Sequence, residues 1–398
     1  MSRLEIVLSH PVRTALGSFN GSLKSVPATE LGAAAIRESL RRADSGRGLS
    51  LDVEAVVFGN VIQAGNKMNP ARQSAIEAGL PVSVPAMTVN RVCGSGAQSI
   101  VSAAHEIASG FTKLAVAGGM ENMDRAPYLL PSGRFGQRMG NAEIIDSLLC
   151  DGLNDAFSGE HSGWHTEDLV KAMEISREDQ DRFAARSQLR FATAQAQGFF
   201  KNGIVGLEAK AGKKTIVFDT DEQPRPNTTV ETLAKLRPAF RPDGTITAGN
   251  APGLNSGAAA MLVSDRAYAD QRSLEPMLRL VSYGVSAVDP GMFGLGPVAA
   301  IEQALSRANW KLSDLERIEI NEAFAAVPIA VSRKRGIPED ILNPDGGAIA
   351  HGHAIGATGA VLVTRLAHAM KREGQRRGMV ALCIGGGQGI ALALERIS

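Results

Sequence analysis

Long apolar runs are absent from this sequence. No segment approaches the roughly 18 uninterrupted apolar residues that cross a bilayer, and the first residues lack the apolar core of a secretory signal. A surplus of one charge is absent as well. The 42 Lys and Arg balance 41 Asp and Glu, leaving +1. That argues against general nucleic-acid binding while leaving room for a local basic pocket that takes a phosphate-bearing ligand. Cysteine is scarce: Cys93, Cys150 and Cys383 stand far apart and odd in number, the usage of a reduced intracellular chain and not of a disulfide scaffold. Internal repeats of about 20–50 residues are missing, which argues against a solenoid. The final Glu395-Arg396-Ile397-Ser398 is not a peroxisomal address. The expectation is a soluble, cytoplasmic protein.

What remains is an ordinary globular composition, 44% hydrophobic and 21% charged over 398 residues. That length exceeds one core, so two or three domains are expected. The two ends of the chain echo each other. Residues 31–40 read as a helix, followed by an acidic turn and a strand that closes on Asn60; residues 298–305 read as a helix, followed by an acidic turn and a strand that closes on Asn321. Cys93 follows Asn60 by 33 residues, and His353 follows Asn321 by 32. Each then precedes a helix-like segment and a strand running into glycines, at 114–119 and 380–387. This rhythm predicts a mostly parallel sheet in each half and a pseudo-two-fold placing Cys93 and His353 at corresponding helix starts. Residues from about 124 to 254 differ in texture. They hold Pro- and Arg-rich loops and one clear helix, 177–197, with Ser176 as N-cap and Asp179 completing a capping box. This insert reads as a loop domain covering a site.

Four segments carry candidate chemistry. The apolar run ending Thr88-Val89-Asn90-Arg91-Val92 predicts a buried strand; Cys93 follows, then Gly94-Ser95-Gly96 and a helix that stops near Gly110. A thiol at a helix N-terminus meets unpaired N–H groups and a partial positive charge, which favour the thiolate and lower its pKa. The competing reading is a small buried hydrophobe. Asn321-Glu322-Ala323-Phe324-Ala325 follows a strand and reads either as crevice lining or as a helix N-cap. Residues 346–360 set His351 and His353 among glycines, where a histidine serves as base, donor or structural group. No Asp, Glu or Cys cluster with metal-ligand spacing accompanies them, so no metal site is expected. Cys383-Ile384-Gly385-Gly386-Gly387-Gln388-Gly389 ends a strand in exposed N–H groups that suit an oxyanion hole. A tight turn around a buried thiol is the alternative. A Rossmann phosphate loop would need Gly-x-Gly-x-x-Gly with a helix and acidic residue downstream, which is not met.

Taken together, these segments resemble the thiolase family. The family pattern has Asn-x-x-Cys-Gly-Ser-Gly, here 90–96; Asn-Glu-Ala-Phe-Ala, here 321–325; Gly-Gly-Ala-Ile-Ala-x-Gly-His, here 346–353; and Cys-Ile-Gly-Gly-Gly-x-Gly, here 383–389. Similarity extends to Pro11-Val12-Arg13-Thr14, to 235–240 and to 247–250. The resemblance implies an α/β thiolase fold: two similar βαβαβαββ halves, each a mixed five-stranded sheet, related by a pseudo-two-fold, plus an inserted loop domain. The corresponding domains are residues 1–123 with 255–274, the loop domain 124–254, and 275–398.

The resemblance further implies an acetyl-CoA C-acyltransferase acting on acetoacetyl-CoA or another short 3-oxoacyl-CoA. Cys93 would be the acylated nucleophile, His353 its partner and a donor to a thioester oxygen, and Cys383 the acid/base at carbon. Asn321 would hold a water completing one oxyanion hole with His353, and the N–H groups of Cys93 and Gly385 would form the other. CoA would be a substrate, with no permanently bound cofactor. Leu153, Thr232, Phe240 and Ala248 fall where pantetheine lies, Arg225 where a basic residue packs on the nucleotide, and His161 and Phe324 beside the acyl site. The stretch from Arg125 to Asn141 resembles the segment through which family dimers pair into homotetramers. A ketoacyl-synthase-type condensing enzyme, which lacks the second cysteine base, and a non-catalytic thiolase-like scaffold are the rival readings. Departures from the pattern bear on substrate choice: Ser162 for a usual Met, Trp164 and His165 for small or polar residues, Pro252 for a serine, Phe293 for a frequent Met, His351 for an aliphatic residue and Ala354 for proline.

Overall fold

The structure is a computed structural model that describes residues 4–45, 52–211 and 214–397. The first half runs β1 (Ile6–Thr14), α1 (Ala28–Asp44), β2 (Ala55–Gly59), α2 (Pro70–Glu77), β3 (Ala86–Val89), α3 (Ser95–Ala108) and β4 (Leu114–Asn122). An insert carrying α4 (Ser162–Ala172) and α5 (Arg177–Ala196) follows, and β5 (Asn255–Asp265) returns to the same half. The second half runs β6 (Pro276–Ala287), α6 (Gly296–Ala308), β7 (Arg317–Ile320), α7 (Ala326–Arg335), α8 (Thr358–Glu373), β8 (Arg377–Ile384) and β9 (Gln388–Arg396).

Antiparallel pairing of β1 with β6 joins both halves into one sheet of order β7-β8-β9-β6-β1-β5-β4-β2-β3, with Gly17–Ser18 and Ile204–Val205 attached beside it. The repeat read from the sequence is present. The sheet order matches β1-β5-β4-β2-β3 with β6-β9-β8-β7, and the fifth member of the second set shrinks to a single parallel bridge between Ile318 and Leu342. Pro338 and Pro344 bracket that segment, and proline has no N–H to extend a ladder. The five-stranded expectation therefore holds fully in the first half alone.

Two other expectations need correction. The halves are mixed and not mostly parallel: β2 pairs parallel with β3 and β4, but β5 lies antiparallel to both β4 and β1. The glycine turn after β8 likewise folds β9 back antiparallel. The strand before Cys93 ends at Val89 and is half-buried, because β3 is the sheet edge, with Met87 42% exposed.

Alternating residues sort the layers. Val56, Phe58, Val116 and Leu262 pack with Leu31, Ile36 and Ala71 of α1 and α2, whereas Val57, Ala115, Ala117 and Met261 face α3 and α8. In the second half Val380, Leu382 and Leu392 face the same central helices, while Met379, Ala381 and Ala393 pack towards Ile301 and Val327 of α6 and α7. Strands buried on both faces explain why these runs are apolar throughout. The two central helices touch backbone to backbone. A Cβ on Gly96 would lie 2.7 Å from Ala360 N, and one on Gly359 2.2 Å from Ala97 N. That contact lies at both helix N-termini, so the residues just before them converge. In the insert, α5 starts with the capping box expected: Ser176 Oγ accepts from Asp179 N–H at 3.0 Å, and the Asp179 carboxylate accepts from Ser176 N–H at 3.3 Å.

Candidate active site

A strained turn aims Cys93. Val92, just before it, has φ +43°, a left-handed conformation that a β-branched residue rarely takes. Local hydrogen bonds hold it there: Val92 N–H donates to Asn90 Oδ1 at 2.9 Å, Ser95 Oγ donates to Val92 O at 2.7 Å, and Arg91 N–H donates to Ser95 Oγ at 2.8 Å. Such strain persists where surrounding bonds over-determine it, commonly at functional sites. Cys93 is half-buried among Val61, Ile62, Met123 and Ile355. Its thiol is not lowered as the helix start suggested. Burial pushes it up to about 11, against the opposing pull of the Gly385 N–H and its own N–H. Desolvation outweighs the helix terminus because the thiol sits two residues before α3, inside an apolar cluster.

His353 enters from the other half. Thr358 Oγ1 spends its hydrogen on Ala354 O at 2.8 Å, so at 2.7 Å it accepts from His353 Nδ1–H. That fixes the tautomer and leaves a lone pair on Nε2, with Asn321 Nδ2 at 3.4 Å. Burial lowers His353 to about 4, so the ring is neutral at physiological pH. Its backbone N–H donates to Asn255 Oδ1 at 2.8 Å. Asn321 is fully buried and its Oδ1 has no protein partner among the described residues. Cys383, at the end of β8, is buried, its thiol raised well above the ordinary value by burial and by the neighbouring Cys93.

These groups border a cavity of ≈ 170 Å³. Cys93, His353 and Gly385 line it together with Leu153, His161, Phe240 and Phe324. His161 stacks on Phe240 at 4.5 Å, Phe240 meets Phe324 edge-on at 6.1 Å, and Phe324 meets Phe293 edge-on at 6.5 Å. Asn321 and Cys383 lie behind this surface. Arg225, Thr232 and Ala248 do not reach it; they sit exposed on the insert, where Thr232 Oγ1 donates to Thr229 O at 2.8 Å. The departures divide in the same way. Ser162, Pro252 and Phe293 line the cavity. Trp164 instead lies under Arg241 at 4.5 Å, His165 binds Ser158 Oγ at 2.7 Å, and His351 and Ala354 are core residues. Thr358, Asn255 and Glu121 were not picked out by the sequence reading. Asn255 and Glu121 act through contacts between distant segments that leave no local pattern in the sequence; Thr358 lies only five residues from His353, and its role depends on how that turn folds.

Comparison with known proteins agrees with this geometry. The thiolase N-terminal domain family matches residues 6–267 and the thiolase C-terminal domain family residues 274–396. An acetyl-CoA acetyltransferase of Pseudomonas aeruginosa is 49% identical over 393 residues, covering 98% of this chain and 99% of that protein. The beta-ketothiolase BktB of Cupriavidus necator is 48% identical over 396 residues, covering 99% of each. Among solved structures, the Bacillus anthracis acetyl-CoA acetyltransferase superposes with a TM-score of 0.95 at 40% identity, and human mitochondrial 3-ketoacyl-CoA thiolase with 0.95 at 37%; each comparison covers 99% of both chains. With Cys93, a neutral His353 and the Gly385 turn meeting in one cavity between two matching halves, the chain belongs to the thiolase family.

Proposed function

We propose that this thiolase catalyses reversible CoA-dependent cleavage of a short 3-oxoacyl-CoA, acetoacetyl-CoA foremost, and the reverse Claisen condensation of acetyl-CoA. The observation that carries this reading is the meeting of the Cys93 thiol, the Gly385 N–H and the oriented His353 ring in one apolar cavity. In the cleavage direction, Cys93 sulfur attacks the 3-oxo carbon as His353 Nε2 takes the thiol proton. A thiol near 11 beside an imidazole near 4 rests neutral, so transfer accompanies attack and does not precede it. The new oxyanion is met by the N–H groups of Cys93 and Gly385. The carbon–carbon bond then breaks, and its electron pair forms the enolate of acetyl-CoA. The enolate oxygen accepts from the newly protonated His353 Nε2 and from a water on Asn321, whose unpartnered Oδ1 has the capacity to hold one. Cys383, a neutral thiol at rest, protonates the enolate carbon. CoA finally takes the acyl group from Cys93: its thiol proton passes to the Cys383 thiolate, and the departing Cys93 sulfur recovers its proton from His353.

Leu153, His161, Phe240 and Phe324 would enclose the pantetheine end and the acyl chain in the cavity, Thr232 and Ala248 would meet pantetheine from the insert's surface, and Arg225 would pack on the nucleotide. CoA is substrate here, and the steps above call on no resident cofactor. The working division is 1–123 with 255–274 and 275–398 as the catalytic halves, and 124–254 as the CoA-binding loop domain. We place the enzyme in the cytoplasm as a homotetramer; among the described residues no helix is long and apolar enough to cross a membrane.

The test is mass spectrometry after mixing with acetyl-CoA. One acetyl group should appear on the Cys93 peptide and vanish in Cys93→Ala together with turnover. Cys383→Ser should keep acetyl exchange between CoA molecules while losing condensation. Labelling at Cys150 or Cys383 would move the nucleophile and overturn the reading.

A further inference from the structure

Glu121 stands near the end of β4, 1% exposed, and has no part in the steps above. Its Oε2 accepts from Val61 N–H and from Gly356 N–H, both at 3.0 Å; its Oε1 accepts from Asn60 Nδ2 at 2.7 Å and from Ile62 N–H at 3.3 Å. These donors come from two separate segments behind the cavity. Val61 and Ile62 pack with Val92, Cys93 and Ile355, and Gly356 lies in the turn that leads from His353 into α8. The approach is as close as backbone permits: a Cβ on Gly356 would lie 2.6 Å from Met120 O and 2.7 Å from Glu121 Oε2, and one on Gly119 2.1 Å from Gly356 O. Four N–H donors on two oxygens suit a carboxylate, whereas an amide would turn an NH₂ towards donors. Burial pushes the Glu121 carboxyl up to about 8 against the pull of the four donors, so it is ionised in the range where Cys93, near 11, titrates; there its charge raises the Cys93 thiol, which in turn raises Cys383.

We propose that Glu121 is a positioning residue of this active site. Its carboxyl group ties the His353 turn of the second half to the Cys93 segment of the first. The inference rests on the roles proposed for Cys93 and His353.

The experiment follows alkylation of Cys93 by iodoacetamide against pH, read on the Cys93 peptide by mass spectrometry, and turnover per alkylatable Cys93, in full-length wild type, Glu121→Gln and Glu121→Asp. Glu121→Gln removes the charge, so its alkylation profile should move to lower pH. Its turnover per site should fall ~10²-fold, the scale of a misplaced reacting group, with little change in KM. Glu121→Asp keeps the charge but withdraws it by one methylene, so its profile should stay near wild type while turnover per site falls. A Glu121→Gln profile superimposed on wild type, or turnover per site equal to wild type in both variants, overturns the proposal. Should Glu121→Gln not fold, Glu121→Asp decides alone: wild-type turnover per site sinks the clamp. Alkylation requires no acyl transfer, so failure of acetyl labelling in wild type would count against the assigned reaction and leave these profiles as an independent test.

Discussion

At Phe293 the structure turns a substitution into a wall. The ring is 5% exposed, lines the cavity and is braced edge-on by Phe324, which Phe240 braces in turn, with His161 stacked on Phe240. A methionine at such a position bends to fit, whereas a braced ring does not. Ser162 acts in the opposite sense, since its small side chain, tied to Leu153 O at 2.6 Å, leaves space beside His161. The fixed ring is the stronger constraint because Phe324, itself held by Phe240, would have to move with it. Phe293→Met should therefore raise kcat/KM for six-carbon relative to four-carbon 3-oxoacyl-CoA, by about 10-fold or more, as one methylene in an apolar pocket is worth about 1–3 kcal/mol. A chain-length panel measures this, and a wild type that already prefers six carbons would refute the short-chain assignment.

Among the elements, the α3–α8 contact decides whether the site exists. Each helix supplies one half's functional residue from the turn before its N-terminus, and the two come together only because Gly96 and Gly359 let backbone meet backbone. The first atom that a methyl at Gly359 would meet, Ala97 N, is main chain and cannot rotate aside. Gly359→Ala should accordingly lose several kcal/mol, at or above the roughly 1–3 kcal/mol typical of overpacking, and lose acylation of whatever folds. Thermal unfolding with acetyl labelling checks both. By contrast, the capping box at Ser176 is a local device worth about 0.5–2 kcal/mol, remote from the nucleophile.

On the scale of the whole molecule, the insert leaves apolar side chains in water. Tyr128, Leu130, Phe135, Met139 and Ile144 are exposed on one stretch, Phe135 at 87% and Met139 at 89%. Clusters of this kind mark interaction surfaces more often than bare solvent contact. The stretch coincides with the tetramer-forming resemblance, so light scattering should give four times the 41.8 kDa chain mass. Phe135→Glu with Met139→Glu should give half of that tetramer mass. A monomeric wild type would end the proposal.

Local chemistry made the repeat, the halves, the capped α5 and the four functional segments legible, because hydrophobic periodicity, caps and glycine-rich turns are written within a few residues of where they act. Local sequence marked Cys93, His353, Asn321 and Cys383 as candidates, and the family resemblance supplied the roles proposed for them. Other features depended on segments that meet only in the fold. The sheet's single continuous path arises where β1 meets β6, and the loss of its fifth strand arises where two prolines meet a partner strand. The proton affinity of Cys93 was misjudged because a helix terminus is visible in sequence, while the apolar shell from Val61, Met123 and Ile355 is not. Sequence named the candidate groups; tertiary structure decided how dry they are and which substitutions reach the cavity, since desolvation belongs to neighbours that only folding supplies.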